Sequence, residues 1–186
     1  MRITAGAFRS RPIRAPKGDR TRPTSDRVRE ALFSMLEADR PVAGARVLDL
    51  YSGTGALAFE ALSRGAAHAT LVEKDRAALA AIAENVKTLD VEKVTRVLAT
   101  DVERCASRLP KEGFDLIFAD PPYRDVPSGA LVRSLGPIFR KSLMRQNARF
   151  VLELASRDEV PELAALALVK RRTYGDTEIA IFDVRS

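Results

Sequence analysis

Residues 46–65 read RVLDLYSGTGALAFEALSRG, and this stretch decides the fold. Arg46 to Tyr51 form a short apolar run that reads as a strand. Ser52-Gly53-Thr54-Gly55 is a tight glycine loop, and the Ala- and Leu-rich text after it predicts a helix over about 54–64. A strand passing through a glycine loop into a helix is the opening of a βαβ unit.

Working outward, the same rhythm repeats. ATLVEK (69–74) predicts a second strand and RAALAAIAENVKTL (76–89) an amphipathic helix; VTRVLAT (94–100), FDLIFA (114–119) and ARFVLEL (148–154) predict three more strands. Strands separated by helices imply parallel pairing with right-handed crossovers, hence an open sheet covered on both faces. Near the end, ALVKRRTYGDTEIAIFDV places two strand-like runs around Tyr174-Gly175-Asp176, the signature of an antiparallel hairpin. Before the sheet, TRPTSDRVREALFSMLEADR predicts a helix capped by Thr24, with Asp26 in its first turn and Val28, Ala31, Leu32, Met35 and Leu36 on one apolar face.

A chain of 186 residues fits one domain. No apolar run reaches the roughly 18–20 residues of a membrane span, and the first residues lack a secretory apolar segment, so a cytoplasmic location is expected. Cys105 is the only cysteine, which leaves no disulfide and no cysteine-built metal site. It reads as a core filler, and His68 as a strand-edge residue; no metal is expected.

Charge is unevenly spread. Residues 1–30 carry nine Lys/Arg against three acids, whereas the other 156 residues hold 22 of each sign. Eight of the nine are arginines, interleaved with Gly6, Phe8, Pro12, Pro16 and Pro23. This predicts an extended basic arm over 1–23, ahead of a domain over 24–186, able to lie on a phosphate backbone.

The glycine loop marks a nucleoside site, because it lets backbone approach a ligand at a helix N-terminus. Glu73 ends the second strand, 20 residues after Gly53, where a carboxylate can accept from a ribose diol. Asp49 would repel a pyrophosphate but can pair with an ammonium group. The set suits S-adenosylmethionine better than a dinucleotide. Asp101, beyond the third strand, is placed either to approach the adenine amino group or to cap a helix.

Asp120-Pro121-Pro122-Tyr123 follows the fourth strand. Asp120 and the Pro121 carbonyl can accept the two N–H bonds of an exocyclic nucleobase amine, turning its lone pair toward a methyl donor. Pro121 and Pro122 fix the backbone beforehand, and Tyr123 can stack on the base.

In this order, TRPTSDRVREALFSML (21–36), LDLYSGTGALAFEALSRGA (48–66), VEKD (72–75), DPPY (120–123) and YGDT (174–177) resemble the RsmD family of 16S rRNA guanine-N2 methyltransferases. The resemblance implies a class I methyltransferase fold, Rossmann-like, with a doubly wound, seven-stranded, mostly parallel sheet. It also implies S-adenosyl-L-methionine as donor and 16S rRNA as substrate, within the small ribosomal subunit or an assembly intermediate; a monomer is expected. By position, it suggests Asp49, Ser52, Gly53, Thr54, Gly55, Glu73, Lys74, Asp101, Val102 and Thr24 as cofactor contacts. Asp120 to Tyr123 form the catalytic turn, and Arg9, Arg11, Arg14, Arg22 and Arg27 are the candidate RNA contacts. Tyr51-Ser52 departs from the family's usual Phe-Ala, and Ala58-Phe59 from Gly-Leu. Two other readings stay open: a DNA adenine-N6 or cytosine-N4 methyltransferase, for which no target-recognition domain is found, and a non-catalytic RNA-binding assembly factor.

Overall fold

A computed structural model describes residues 1–15, 25–122, 125–126, 129–140 and 143–185. Its elements run α1 (Asp26–Asp39), β1 (Arg46–Leu50), α2 (Ala56–Ser63), β2 (His68–Glu73), α3 (Arg76–Leu89), a 3₁₀ turn (Glu92–Val94), β3 (Thr95–Ala99), α4 (Val102–Cys105), β4 (Phe114–Ala119), α5 (Ala130–Arg140), β5 (Met144–Ala155), β6 (Leu166–Tyr174) and β7 (Thr177–Val184). The seven strands form one sheet in the order β3-β2-β1-β4-β5-β7-β6. β1 to β5 are parallel, and β7 is antiparallel to both β5 and β6.

Strand alternation sorts the core into two layers. Val47, Phe118 and Val151 face α1, α2 and α3, whereas Leu48, Ile117 and Leu152 face α4 and α5. The order reverses between β1 and β4, so a crevice is expected beyond their carboxyl ends. At those ends Leu50 and Ala119 stand in register.

Local chemistry sets the helix ends. Asp75 caps α3, its Oδ1 accepting the Ala77 and Ala78 N–H groups at 2.9 Å, and Asp90 ends it in the left-handed region. In α1 the N-cap is Ser25, whose hydroxyl accepts from the Val28 N–H at 3.3 Å. The expected cap, Thr24, lies outside the described residues, and Ser25 takes that position one residue later.

The largest departure from the sequence reading is at the start of the chain. Residues 1–15 do not extend away as an arm. The Ile3 N–H donates to the Arg11 carbonyl, the Ser10 N–H to the Ile3 carbonyl and the Ile13 N–H to the Met1 carbonyl, which closes a small hairpin. Ile3 and Ile13 are buried in the layer shared with α1, α2 and α3. β5 also begins four residues before the predicted run, with Met144 and the polar stretch 145–147.

Candidate functional site

Asp49 sits near the end of β1 with only 2% of its surface exposed. Its Oδ2 accepts the Ala58 N–H at 3.2 Å, tying the strand to the first turn of α2. Burial pushes its pKa well above the ordinary carboxylate range; the Ala58 bond opposes this, and the nearby Glu73 charge adds to it. Among the described residues no cation pairs with this buried acid, which suits a ligand that brings its own ammonium.

The loop after Asp49 is held in conformations that favour glycine. Tyr51, Gly53 and Gly55 have φ of 57°, 53° and 77°. A Cβ on Gly55 would lie 2.5 Å from Phe59 Cε2 and 2.8 Å from Leu71 Cδ2, so the position admits no side chain. Ser52 turns its hydroxyl into the sheet, donating to the Asp49 carbonyl at 2.6 Å and accepting from the Val72 N–H at 3.0 Å. That hydroxyl fastens β1 to β2, and the residue's contribution to an open cradle is its backbone. The Tyr51 hydroxyl bonds with Ser134 on α5, while burial, first of all, raises its pKa.

Glu73 accepts from the Gly53 N–H at 2.8 Å through Oε2, and from the Lys74 and Asp75 N–H groups at 2.7 and 2.8 Å through Oε1. A carboxylate offers about four lone-pair sites. A ribose diol therefore finds one free acceptor site there, or a second if the Gly53 amide swings away. Lys74 Nζ pairs with Asp101 Oδ1 at 2.8 Å, bridging the ends of β2 and β3. Asp101 stands at the N-cap of α4 but makes no side-chain cap bond, so one oxygen remains for an incoming amine. Val102 behind it is buried.

Asp120 follows the last residue of β4, and its carboxyl is raised well above the usual range by burial first, then by the charges of Glu153 and Asp49. All three acids project to the same face of the sheet: Asp49 lies between Leu48 and Leu50, Asp120 after Ala119, and Glu153 between Leu152 and Leu154, each flanking residue facing the other way. They come from neighbouring strands, with Leu152 in register with Ala119. Pro121 is buried and Pro122 exposed. Tyr123, Arg22 and Thr24, each singled out in the sequence, lie outside the described residues.

Among the basic residues, Arg9 and Arg27 are exposed. Arg11 donates to the Thr88 and Leu89 carbonyls at 2.8 and 3.4 Å, which satisfies the end of α3. Arg14 pairs with Glu84 at 3.0 Å across an exposed surface. His68 is remote from this chemistry, whereas Cys105 on α4 lies in the apolar layer against which Tyr51 packs. Cys105 is fully buried, and burial pushes its thiol up to about 11; His68 stands at the start of β2, at the opposite end of the sheet, with burial lowering its pKa.

Sequence reasoning missed three buried polar residues that matter here: Glu153, Glu60 and Asn85. Each sits inside an apolar run or on an apolar helix face, which was the available signal.

The family model described as conserved hypothetical protein 95 matches residues 1–183. "Putative rRNA methyltransferase YlbH" of Bacillus subtilis is 36% identical over 188 aligned positions that span all of both chains. "Ribosomal RNA small subunit methyltransferase D" of Escherichia coli is 40% identical over 126 residues, 67% of this chain and 61% of that one. Among solved structures, "Putative methyltransferase yhhF from Escherichia coli" superposes with a TM-score of 0.83 at 32% identity, covering 99% of this chain and 97% of its own.

Proposed function

The chain belongs to the RsmD family of rRNA methyltransferases, and from that premise we propose that it methylates the exocyclic N2 of a guanine in 16S, small-subunit rRNA. The observation that carries this reading is the placement of Asp120 at the tip of β4, on the same sheet face as Asp49 at the tip of β1, across the point where strand order reverses.

S-adenosyl-L-methionine supplies a methyl group activated on a sulfonium. In this reading Asp49 faces its ammonium, the backbone from Ser52 to Gly55 lets it approach closely, and Glu73 receives the ribose. Asp101 and Val102 meet the adenine edge and face, and Lys74 holds Asp101 in place. The buried carboxylates favour a ligand with a net positive charge over a pyrophosphate.

Asp120 accepts an N–H of the guanine amine, so that the nitrogen lone pair turns out of the ring plane. An amine nitrogen that takes up a methyl group would become positive and would have to lose a proton. A carboxylate whose pKa is raised by burial and like-charged neighbours is a better acceptor for it than an ordinary aspartate. Pro121 and Pro122 hold the turn without offering donors, and Tyr123 stacks on the base. Arg9, Arg11, Arg14, Arg22 and Arg27 contact phosphates, in the small subunit or an assembly intermediate of it. We take the enzyme to act as a monomer in the cytoplasm.

The test is transfer of labelled methyl groups from S-adenosylmethionine to naked rRNA, small subunits or DNA, with digestion to nucleosides. N2-methylguanosine from rRNA or subunits supports the reading. Methylated adenine or cytosine from DNA would establish the DNA alternative, and no transfer to any of the three would leave an RNA-binding assembly factor.

A further inference from the structure

We infer that Asn85 is a positioning residue for the cofactor loop, and that through it the hairpin of residues 1–15 belongs to the cofactor site. This rests on the reading above, in which Asp49 to Gly55 hold S-adenosylmethionine.

Gly55 is the N-cap of α2, its carbonyl accepting from the Phe59 N–H at 2.9 Å, so the N–H groups before Phe59 have no partner within the helix. One of them, that of Ala58, is met by Asp49 Oδ2 at 3.2 Å. The Thr54 carbonyl lies just outside the helix, between Gly53 and Gly55 with their positive φ, and needs a donor of its own. Asn85 on α3 provides it: Nδ2 donates to the Thr54 carbonyl at 3.1 Å.

The rest of the same amide is committed to the hairpin. Asn85 Nδ2 also donates to the Arg14 carbonyl at 3.0 Å, and Oδ1 accepts the Arg14 N–H at 2.8 Å. Both amide hydrogens are used, and the residue is 1% exposed, so water cannot readily take over either bond. Arg14 thus fixes the amide's orientation, and the amide holds the Thr54 carbonyl in the middle of the glycine loop. Without Asn85 that buried carbonyl loses this donor, and the loop that receives the ligand must shift to find another.

The test is calorimetric titration of S-adenosylmethionine into the full chain without RNA, followed by steady-state kinetics on its rRNA substrate. For Asn85→Ala the expected result is a Kd about tenfold or more weaker. KM for the donor should rise in parallel, with kcat at saturating donor within about twofold. Asn85→Asp keeps size and Oδ1 but loses both donors. Its affinity relative to wild type should be poorest near pH 8 and recover toward pH 5.5, as the introduced carboxyl gains a proton and can donate once. Wild-type affinity in Asn85→Ala would overturn the inference. If that variant does not fold, a deficit in Asn85→Asp that is flat with pH would overturn it. A wild-type chain that does not bind S-adenosylmethionine would sink this inference together with the functional reading, whereas normal wild-type binding with indifferent variants sinks the inference alone.

Discussion

Asp49 serves two opposed demands, since the charge that would receive an ammonium is also a charge placed in the core. Burial raises its pKa in the folded chain above the roughly 3.9 of an unfolded aspartate, so the folded state holds the proton more tightly. Stability from this group is fully present below that unfolded value and is lost as pH rises through the raised one. Asn at this position carries no charge to desolvate and can still accept from Ala58. Asp49→Asn should therefore melt several degrees higher than wild type at pH 8, the gap closing near pH 4, while donor binding is lost; scanning calorimetry at both pH values checks it, and a gap independent of pH would contradict it. Gly55 makes the converse case, where function and packing agree. With φ at 77° and the fully buried Phe59 and Leu71 within 2.8 Å of an added Cβ, Gly55→Ala should cost roughly 2–4 kcal/mol in urea unfolding and abolish donor binding. At Asp120 the same physics governs rate. If the ionised carboxylate accepts from the base, kcat/KM rises with pH and its acid limb lies well above about 4. Asp120→Ala should remove turnover while leaving the donor's Kd near wild type.

Three elements meet at Glu60. From α2 it accepts the Thr4 N–H at 2.9 Å, the Thr4 hydroxyl at 2.6 Å and the Ala5 N–H at 3.1 Å, as well as Arg29 Nε of α1 at 3.3 Å and Arg64 Nε at 3.0 Å. Burial opposes its charge, yet the bonds from Thr4 and Arg64 hold its pKa below the ordinary glutamate value. Stability from this group is present above the unfolded pKa of about 4.3 and is lost as pH falls through the lowered one. Arg29 is fully buried, so Glu60→Ala takes away a fully buried anionic partner of its guanidinium and leaves the half-exposed Asp26, at 2.9 Å, to balance it. A loss of about 3–5 kcal/mol is expected in urea unfolding, enough to threaten the fold. The double change Glu60→Leu with Arg29→Met should cost less than Glu60→Ala alone, because no buried guanidinium is left short of its buried carboxylate. These contacts explain which elements the sequence revealed. The helix α3 was legible to the residue, since Asp75 caps it and Ala78, Ala81, Ile82 and Leu89 keep helical spacing. The hairpin was not, because its buried apolar anchors, Ile3 and Ile13, stand far apart in the sequence and its other ties are polar residues or backbone groups whose pairing has no period. Helix α4 has four residues, too few to show one, and α5 carries Pro137 inside an otherwise amphipathic pattern.

At the scale of the whole molecule, the chemistry and the basic hairpin occupy different parts of the same flank. The strand-to-helix alternation made the parallel sheet, its antiparallel edge and the acid tips of β1 and β4 readable in the sequence, because topology alone brings those tips together. It could not place the arginines. The hairpin's turn is held by Ser63, whose carbonyl accepts from the Ala7 N–H at 2.7 Å and whose hydroxyl accepts from the Phe8 N–H at 2.9 Å. Ser63 is the last residue of α2, eight residues long from Ala56, so the point where the hairpin's turn is held lies about 12 Å along the helix from the glycine loop. An RNA that presents a base to Asp120 and a phosphate to Arg9 must span that flank. Exposed Arg9 is available for such an interaction, whereas Arg11 also closes the end of α3. Arg9→Glu should weaken rRNA binding and lower the slope of log K against log salt by about 1 for each phosphate no longer neutralised, with melting temperature and donor affinity unchanged. Arg11→Glu should show the same change in salt slope together with a lower melting temperature, since the Thr88 and Leu89 carbonyls lose their donor. Filter binding over a salt series, with melting curves on the same samples, separates the two; an unaltered slope in Arg9→Glu would take the hairpin's turn out of the RNA interface.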